Sequence, residues 1–280
     1  MKISMMSYTM ARGVPAGEFD ARQLCEFTLE LGLEGVDWVS TYQYEPSEIR
    51  ALMDDHGLKT VAHTFFCDLN FPTSEERADG RDTFKRGIEA AVTLGTDIVM
   101  LPVSGKEELS RDQSRDNYLA GLEEVIEFAD DAGVTVTIEN FPSRHSPFIT
   151  SADMNSSVER IPQLRVTYDN GNVATGGETG PEGFINSAPY IVHAHFKDWK
   201  QCDPDAPGAM LFLDGKYRRA ELVGDGDVDQ IGCLRAMHQH GYTGYINFEY
   251  EGSEMTPHDA TVEGVRRMSE WIDMVVQEDV

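Results

Sequence analysis

Four strand-like segments of this chain each end on a side chain able to ligate a cation. Val134-Thr-Val-Thr-Ile-Glu139, Arg165-Val-Thr-Tyr-Asp169 and Tyr245-Ile-Asn-Phe-Glu249 close on carboxylates, and Ile191-Val-His193-Ala-His195 closes on imidazoles. Glu139, Asp169, His195 and Glu249 together offer three oxygens and one nitrogen. That set suits one divalent ion such as Mn²⁺, Mg²⁺ or Co²⁺, with Zn²⁺ admissible, better than it suits a structural zinc, which favours sulfur and histidine. A divalent ion held there would polarise a carbonyl and its neighbouring hydroxyl. Carboxylates on the two sides of the substrate could then take a proton from carbon and return it. Glu139 and Glu249 are the candidates for those bases. A single carboxylate ending a strand is more often a helix cap or a surface charge. Four such ends in series point instead to a shared site.

Other residues join this set by position. His193 and His195 alternate with Ala194 and so share one strand face. His195 lies nearer the strand's C-terminal end and is the expected ligand, which leaves His193 as a neighbour of the ligand or a core histidine. Lys197 falls on the same face and either holds a substrate oxygen or pairs with Asp169 or Glu249. Lys216, Arg218 and Arg219 form a local reversal of sign in a chain with only 23 basic residues. Guanidinium groups hold phosphate in bidentate geometry, so Arg218 and Arg219 are candidate phosphate ligands. The alternative is that they pair with Asp214 and Glu221. Trp38 and Trp199, close to strand ends, are candidates for an apolar wall or for core packing.

The elements that must carry these residues alternate along the chain. The strands are expected at Lys2–Met6, Gly35–Val39, Leu58–Phe66, Asp97–Leu101, Val134–Glu139, Arg165–Asp169, Ile191 onward and Gly244–Glu249. Leu24, Phe27 and Leu31 recur at helical spacing before Gly32, and Pro46 and Gly57 bracket a second helix. Thr73 and Glu76 resemble a capping signal for a long helix ending at Gly95. A run from Tyr118 to Ala129 marks a further helix face, and others follow at Ser151–Val158, Glu178–Ala188, Val228–Met237 and Thr256–Val275. The stretch from Trp199 to Gly226 reads as one long irregular loop, of a kind that is usually functional or mobile. Eight strands alternating with helices, the site-bearing strands spaced by roughly 25 to 55 residues, fit a (β/α)8 TIM barrel, a fold of about 250 residues with its active site at the strands' C-terminal face. One domain over residues 1–280 is therefore expected.

Composition narrows the partners. A net charge of −26 repels nucleic acid and anionic membranes, and no apolar run approaches the ~20 residues of a membrane span. The start, Met1-Lys-Ile-Ser-Met, reads as a first strand and not as a signal peptide. Four scattered cysteines without a Cys-x-x-Cys spacing fit a reducing cytoplasm, where Cys67 is expected to pack. Acidic residues spread along the whole chain suggest a halophilic-type protein adapted to a salt-rich cytosol.

The ordered series Glu139-Asn140, Asp169-Asn-Gly-Asn172, His193-Ala-His195-Phe-Lys197-Asp198 and Glu249 after Gly241-Tyr-Thr-Gly244, with Gly224-Asp-Gly226-Asp-Val228, resembles the xylose isomerase-like barrel superfamily of sugar-phosphate isomerases and epimerases. The resemblance covers nearly the whole chain. It implies that Glu139, Asp169, His195 and Glu249 ligate the metal, that both glutamates double as acid and base, and that His63 touches substrate. Free-ketose 3-epimerases of this superfamily usually carry histidine where this chain has Asn172, and the Asp-x-Gly-Asn form looks more like the branch acting on pentulose 5-phosphates. The expected activity is therefore metal-dependent isomerisation or epimerisation of a ketose or ketose phosphate through an enediolate. An inosose dehydratase-like lyase is the first alternative and a non-catalytic sugar-binding barrel the second. An endonuclease of the same superfamily fits poorly with the negative charge. The expected partner is a small-molecule sugar or sugar phosphate, with a homo-oligomer expected by analogy with relatives.

Overall fold

β-Branched and aromatic residues concentrate in short runs that pair in parallel, and the pairing closes on itself. The structure, a computed structural model, describes residues 1–278. In chain order the strands are β1 (Lys2–Met6), β2 (Gly35–Val39), β3 (Lys59–Thr64), β4 (Ile98–Leu101), β5 (Thr135–Glu139), β6 (Arg165–Asp169), β7 (Ile191–Phe196), β8 (Asp198–Gln201), β9 (Met210–Leu211), β10 (Tyr217–Glu221) and β11 (Tyr245–Phe248). Eight of them form a closed barrel in the order β1-β11-β7-β6-β5-β4-β3-β2, which is the expected (β/α)8 TIM barrel.

The helices are α1 (Ser7–Ala11), α2 (Ala21–Glu30), α3 (Pro46–Asp55), α4 (Ala78–Leu94), α5 (Arg111–Glu123), α6 (Ile126–Asp131), α7 (Ser151–Arg160), α8 (Asn170–Thr175), α9 (Gly180–Ser187), α10 (Gln230–Gln239) and α11 (Pro257–Gln277). Their starts are chemically marked. Asp20 caps α2, and capping boxes Ser110/Gln113, Thr150/Asp153 and Thr179/Glu182 open α5, α7 and α9, satisfying backbone donors that have no helical partner. Thr73 and Glu76 do pair, but α4 begins only at Ala78. The single helix expected up to Ala129 is broken at Glu124–Val125 into α5 and α6.

Alternation along each strand sorts side chains to two sides. Val36, Trp38, Val99, Leu101, Val136, Ile138, Phe196 and Phe248 face the helices and are buried. The fit is close: a Cβ on Gly264 of α11 would stand 2.1 Å from the Phe248 ring. The barrel interior is polar. Thr137 and Thr167 hydroxyls lie 2.6 Å apart, and Ser4, Asp37, His193 and Asn247 are joined by hydrogen bonds. An interior of this kind supports directed polar groups at the strand ends instead of the usual branched apolar layers.

The stretch expected to be one irregular loop, 199–226, holds an antiparallel sheet instead, in the order β8-β10-β9. Tyr217-Arg-Arg-Ala-Glu221 carries three charges and no apolar run, so nothing in its composition marks a strand; pairing to β8 makes it one. Asp198 ties this excursion down. Its carboxylate accepts from the backbone nitrogens of Trp199, Gly224, Gly226 and Val228. A Cβ at Gly226 would meet that carboxylate at 2.2 Å, so the Gly-x-Gly-x-Val segment is a close cradle for Asp198.

Candidate metal and substrate site

β5, β6, β7 and β11 bring Glu139, Asp169, His195 and Glu249 to one end of the barrel. One ligand atom from each lies within 4.8 Å of the others, and all four residues are buried. His195 Nδ1 is 2.7 Å from Glu139 Oε1 and 3.8 Å from Glu249 Oε2. Asp169 uses one oxygen to cap α8, accepting from the backbone of Gly171 and Asn172. Its other oxygen, Oδ2, is buried and has no hydrogen-bond partner among the described residues. A divalent ion fits this donor set, because three carboxylates and an imidazole converge and one of the oxygens has no hydrogen bond. The electrostatics agree. Burial pushes the Asp169 carboxyl well above its usual range; Lys197 opposes the shift, while Glu139 and Glu249 add to it. Glu249 is raised to about 7 by burial, again against Lys197 and with Glu251 and Glu139 reinforcing.

Lys197 lies against the same cluster. Its ammonium donates to Glu249 Oε1 at 2.8 Å and to Glu251 Oε2 at 2.9 Å, and stands 3.7 Å from Asp169 Oδ2. Both pairings open to Lys197 in the sequence are thus present. Asn172 is held by Trp199, whose indole N–H donates to the amide oxygen at 3.2 Å, while Asn172 Nδ2 is buried with no hydrogen-bond partner among the described residues. A cavity of about 150 Å³ opens above these groups, lined by Glu139, Asn172, Lys197, Glu249, Glu251 and Tyr8 on its polar side. Phe66, Met100, Pro102, Phe141 and Pro142 form the apolar side.

Five expected contributors stand elsewhere. His63 does not line this cavity; its neighbour Thr64 does. Thr64 reaches Asp37 inside the barrel, so alternation turns His63 to the helix side, where its Nδ1 meets the Trp38 carbonyl oxygen at 2.9 Å and its ring approaches Phe65. Trp38 is buried on that same side and forms no wall. Arg218 and Arg219 lie in the excursion, paired with Asp214 and with Glu221 and Glu254. Opposite charges two to four residues away satisfy them locally. His193 lies below the ligands, within the barrel, 3.1 Å from Asp37. Cys67 packs against the Tyr118 hydroxyl.

Sequence reasoning missed Asp37, Glu251 and Tyr8. Asp37 had a signal, a lone carboxylate inside the apolar run Gly35-Val-Asp-Trp-Val39. Glu251 follows Glu249 by two and could have been placed on the same side by alternation. Tyr8, on the short helix directly after β1, had none; its hydroxyl is 3.3 Å from Glu251 Oε1, and burial raises it to about 12.

Residues 25–271 match the family model described as xylose isomerase-like TIM barrel. An uncharacterized protein of Methanocaldococcus jannaschii, MJ1311, is 27% identical over 225 residues, covering 75% of this chain and 71% of that protein. The inosose dehydratase of Lacticaseibacillus casei is 21% identical over 242 residues, 81% of this chain and 80% of that protein. The solved structure of an L-ribulose 3-epimerase superposes with a TM-score of 0.79 at 16% identity, covering 99% of this chain and 96% of that one. At such identity the last likeness speaks for the fold alone.

Proposed function

Because this chain belongs to the xylose isomerase-like TIM barrel family, we propose that it is a metal-dependent isomerase or epimerase of a small ketose. The observation that carries this reading is the convergence of Glu139, Asp169, His195 and Glu249, with Asp169 Oδ2 lacking a hydrogen bond among the described residues. These four residues hold one divalent ion, which when bound makes the hydrogen beside a ketose carbonyl acidic. Glu139 and Glu249 reach the substrate carbon from two strands, one taking the proton and the other returning it through an enediolate. Lys197 keeps Glu249 oriented through Oε1, with Oε2 turned toward His195 Nδ1 at 3.8 Å. Asn172 Nδ2 donates to a substrate hydroxyl or carbonyl oxygen. Phe66, Phe141 and Pro142 shield the exchanging proton from solvent.

The substrate is uncharged in this reading. Lys197, the cation of the cavity, already meets two carboxylates, and Arg12 donates to the Tyr250 and Gly252 carbonyls. A phosphate would be desolvated beside Glu139, Glu249 and Glu251 without a free cation.

Dehydration is the second reading, and Lys197 favours it. An ammonium in the cavity wall can protonate a departing hydroxide while a glutamate removes the neighbouring carbon-bound proton, releasing water and forming a double bond. Incubation of the Mn²⁺-supplied protein with neutral ketoses and cyclic polyol ketones in deuterated water separates the two. Isomerisation or epimerisation incorporates solvent deuterium beside the carbonyl with no loss of water, and Glu249→Gln abolishes it. Loss of water selects the second reading. Neither product from any such substrate would sink both.

A further inference from the structure

Beneath the candidate metal ligands lies a second polar cluster, Asp37, His193 and His195, whose ligand atoms also converge. Asp37 lies in the middle of β2, across the barrel from β6, and is fully buried. Its Oδ2 accepts from Asn247 Nδ2 at 2.6 Å and lies 3.1 Å from His193 Nε2, and Thr64 Oγ1 faces Oδ1 at 3.4 Å. Two uses of this cluster are chemically open: a second cation, or a hydrogen-bonding support. The donors decide. Asn247 Nδ2 lies 2.6 Å from the carboxylate and 3.0 Å from His193 Nε2, so an N–H group already occupies the space between those ligand atoms. Asn247 Oδ1 in turn accepts from Ser4 Oγ, which holds the amide with its nitrogen toward Asp37.

His195 joins the two clusters. Its Nδ1 side faces Glu139 and Glu249, while Nε2 is buried with no aligned partner among the described residues and has Asp37 Oδ2 at 3.4 Å. A histidine that gives Nδ1 to a cation must keep its proton on Nε2, and a buried N–H needs an acceptor. We propose that Asp37 is the positioning residue of the metal site: its carboxylate, locked by Asn247 and His193, holds the His195 proton on Nε2 and so presents Nδ1 to the ion. The inference rests on the metal reading above. A carboxylate behind a ligating histidine commonly changes metal affinity by about 10- to 100-fold.

The test titrates metal-free wild type and Asp37→Asn with Mn²⁺ and Zn²⁺ by calorimetry. It also records histidine ¹⁵N shifts of the Zn²⁺-loaded wild type and thermal melts of both metal-free proteins. The expected result is one site per chain in each, a Kd roughly 10- to 100-fold weaker in Asp37→Asn, and a His195 resonance protonated at Nε2. Equal affinities overturn the inference. So does a wild type that binds a second ion lost in Asp37→Asn, which would make the cluster a cation site. If Asp37→Asn does not fold, the wild-type spectrum decides: coordination through His195 Nε2 refutes the role and Nδ1 coordination supports it. A wild type that binds no ion removes the metal reading and this inference together, and that outcome is distinct from one site with unchanged affinity.

Discussion

Replacing Lys197 by methionine tests whether the cavity is held by charge balance. Lys197 is 4% exposed, and its ammonium lies 2.8 Å from Glu249 and 2.9 Å from Glu251. At an effective dielectric of about 20 each contact is a gross attraction of roughly 6 kcal/mol. Desolvating the ammonium removes several kcal/mol of that, and truncating one partner of a buried pair costs about 3 to 5 kcal/mol because the other charge stays buried. For a chain of this size, with about 2.1 cal/mol/K of unfolding entropy per residue, that is a fall in Tm of roughly 5 to 9 °C. The loss should be larger in the metal-free protein, since a divalent ion would offset the same carboxylates. Adding Glu251→Gln to Lys197→Met should recover about 1 to 3 kcal/mol, the coupling expected of residues in one network. Melts of the two single variants and the double variant, with and without Mn²⁺, provide the cycle. A Lys197→Met protein within about 1 kcal/mol of wild type, or additive losses in the double variant, would refute the charge-balance reasoning.

Arg218→Ala and Arg219→Ala should leave turnover of a neutral ketose within about twofold, because both guanidiniums are tied to carboxylates outside the cavity; a large loss restricted to phosphorylated ketoses would restore them as phosphate ligands. Asn172→Ala should lower kcat/KM about tenfold through loss of one substrate hydrogen bond, and steady-state kinetics read it. Raising KCl from low to multimolar concentration should raise Tm, since a net charge of −26 repels itself and the screening length falls to about 3 Å near 1 M; an unchanged Tm would contradict the halophilic reading.

The barrel was legible because its strands read as short β-branched runs, and four of them also carry a carboxylate or imidazole at or just past their ends. Glu139, Asp169, His195, Lys197 and Glu249 were placed by alternation and strand position alone, and the barrel brings them together. His63 shows the limit of that logic: one residue decides which side of a strand a side chain takes, and β3 puts Thr64 inside. The excursion sheet escaped because β10 is charged and β9 is two residues long, so its strands exist by pairing and not by local preference. Arg218 and Arg219 looked like anion ligands only while Asp214 and Glu221 were unplaced. Asp37 lay outside the set because its partners, His193 and Asn247, are 156 and 210 positions away.

Metal content per chain tests the central claim most directly. Protein purified without chelators, then supplied with Mn²⁺ and desalted, should carry about one divalent ion per wild-type chain, and Glu139→Gln should carry far less. No ion in wild type after Mn²⁺ is supplied would contradict the claim that these four strand ends form a metal site, and the proposed proton transfer would fall with it.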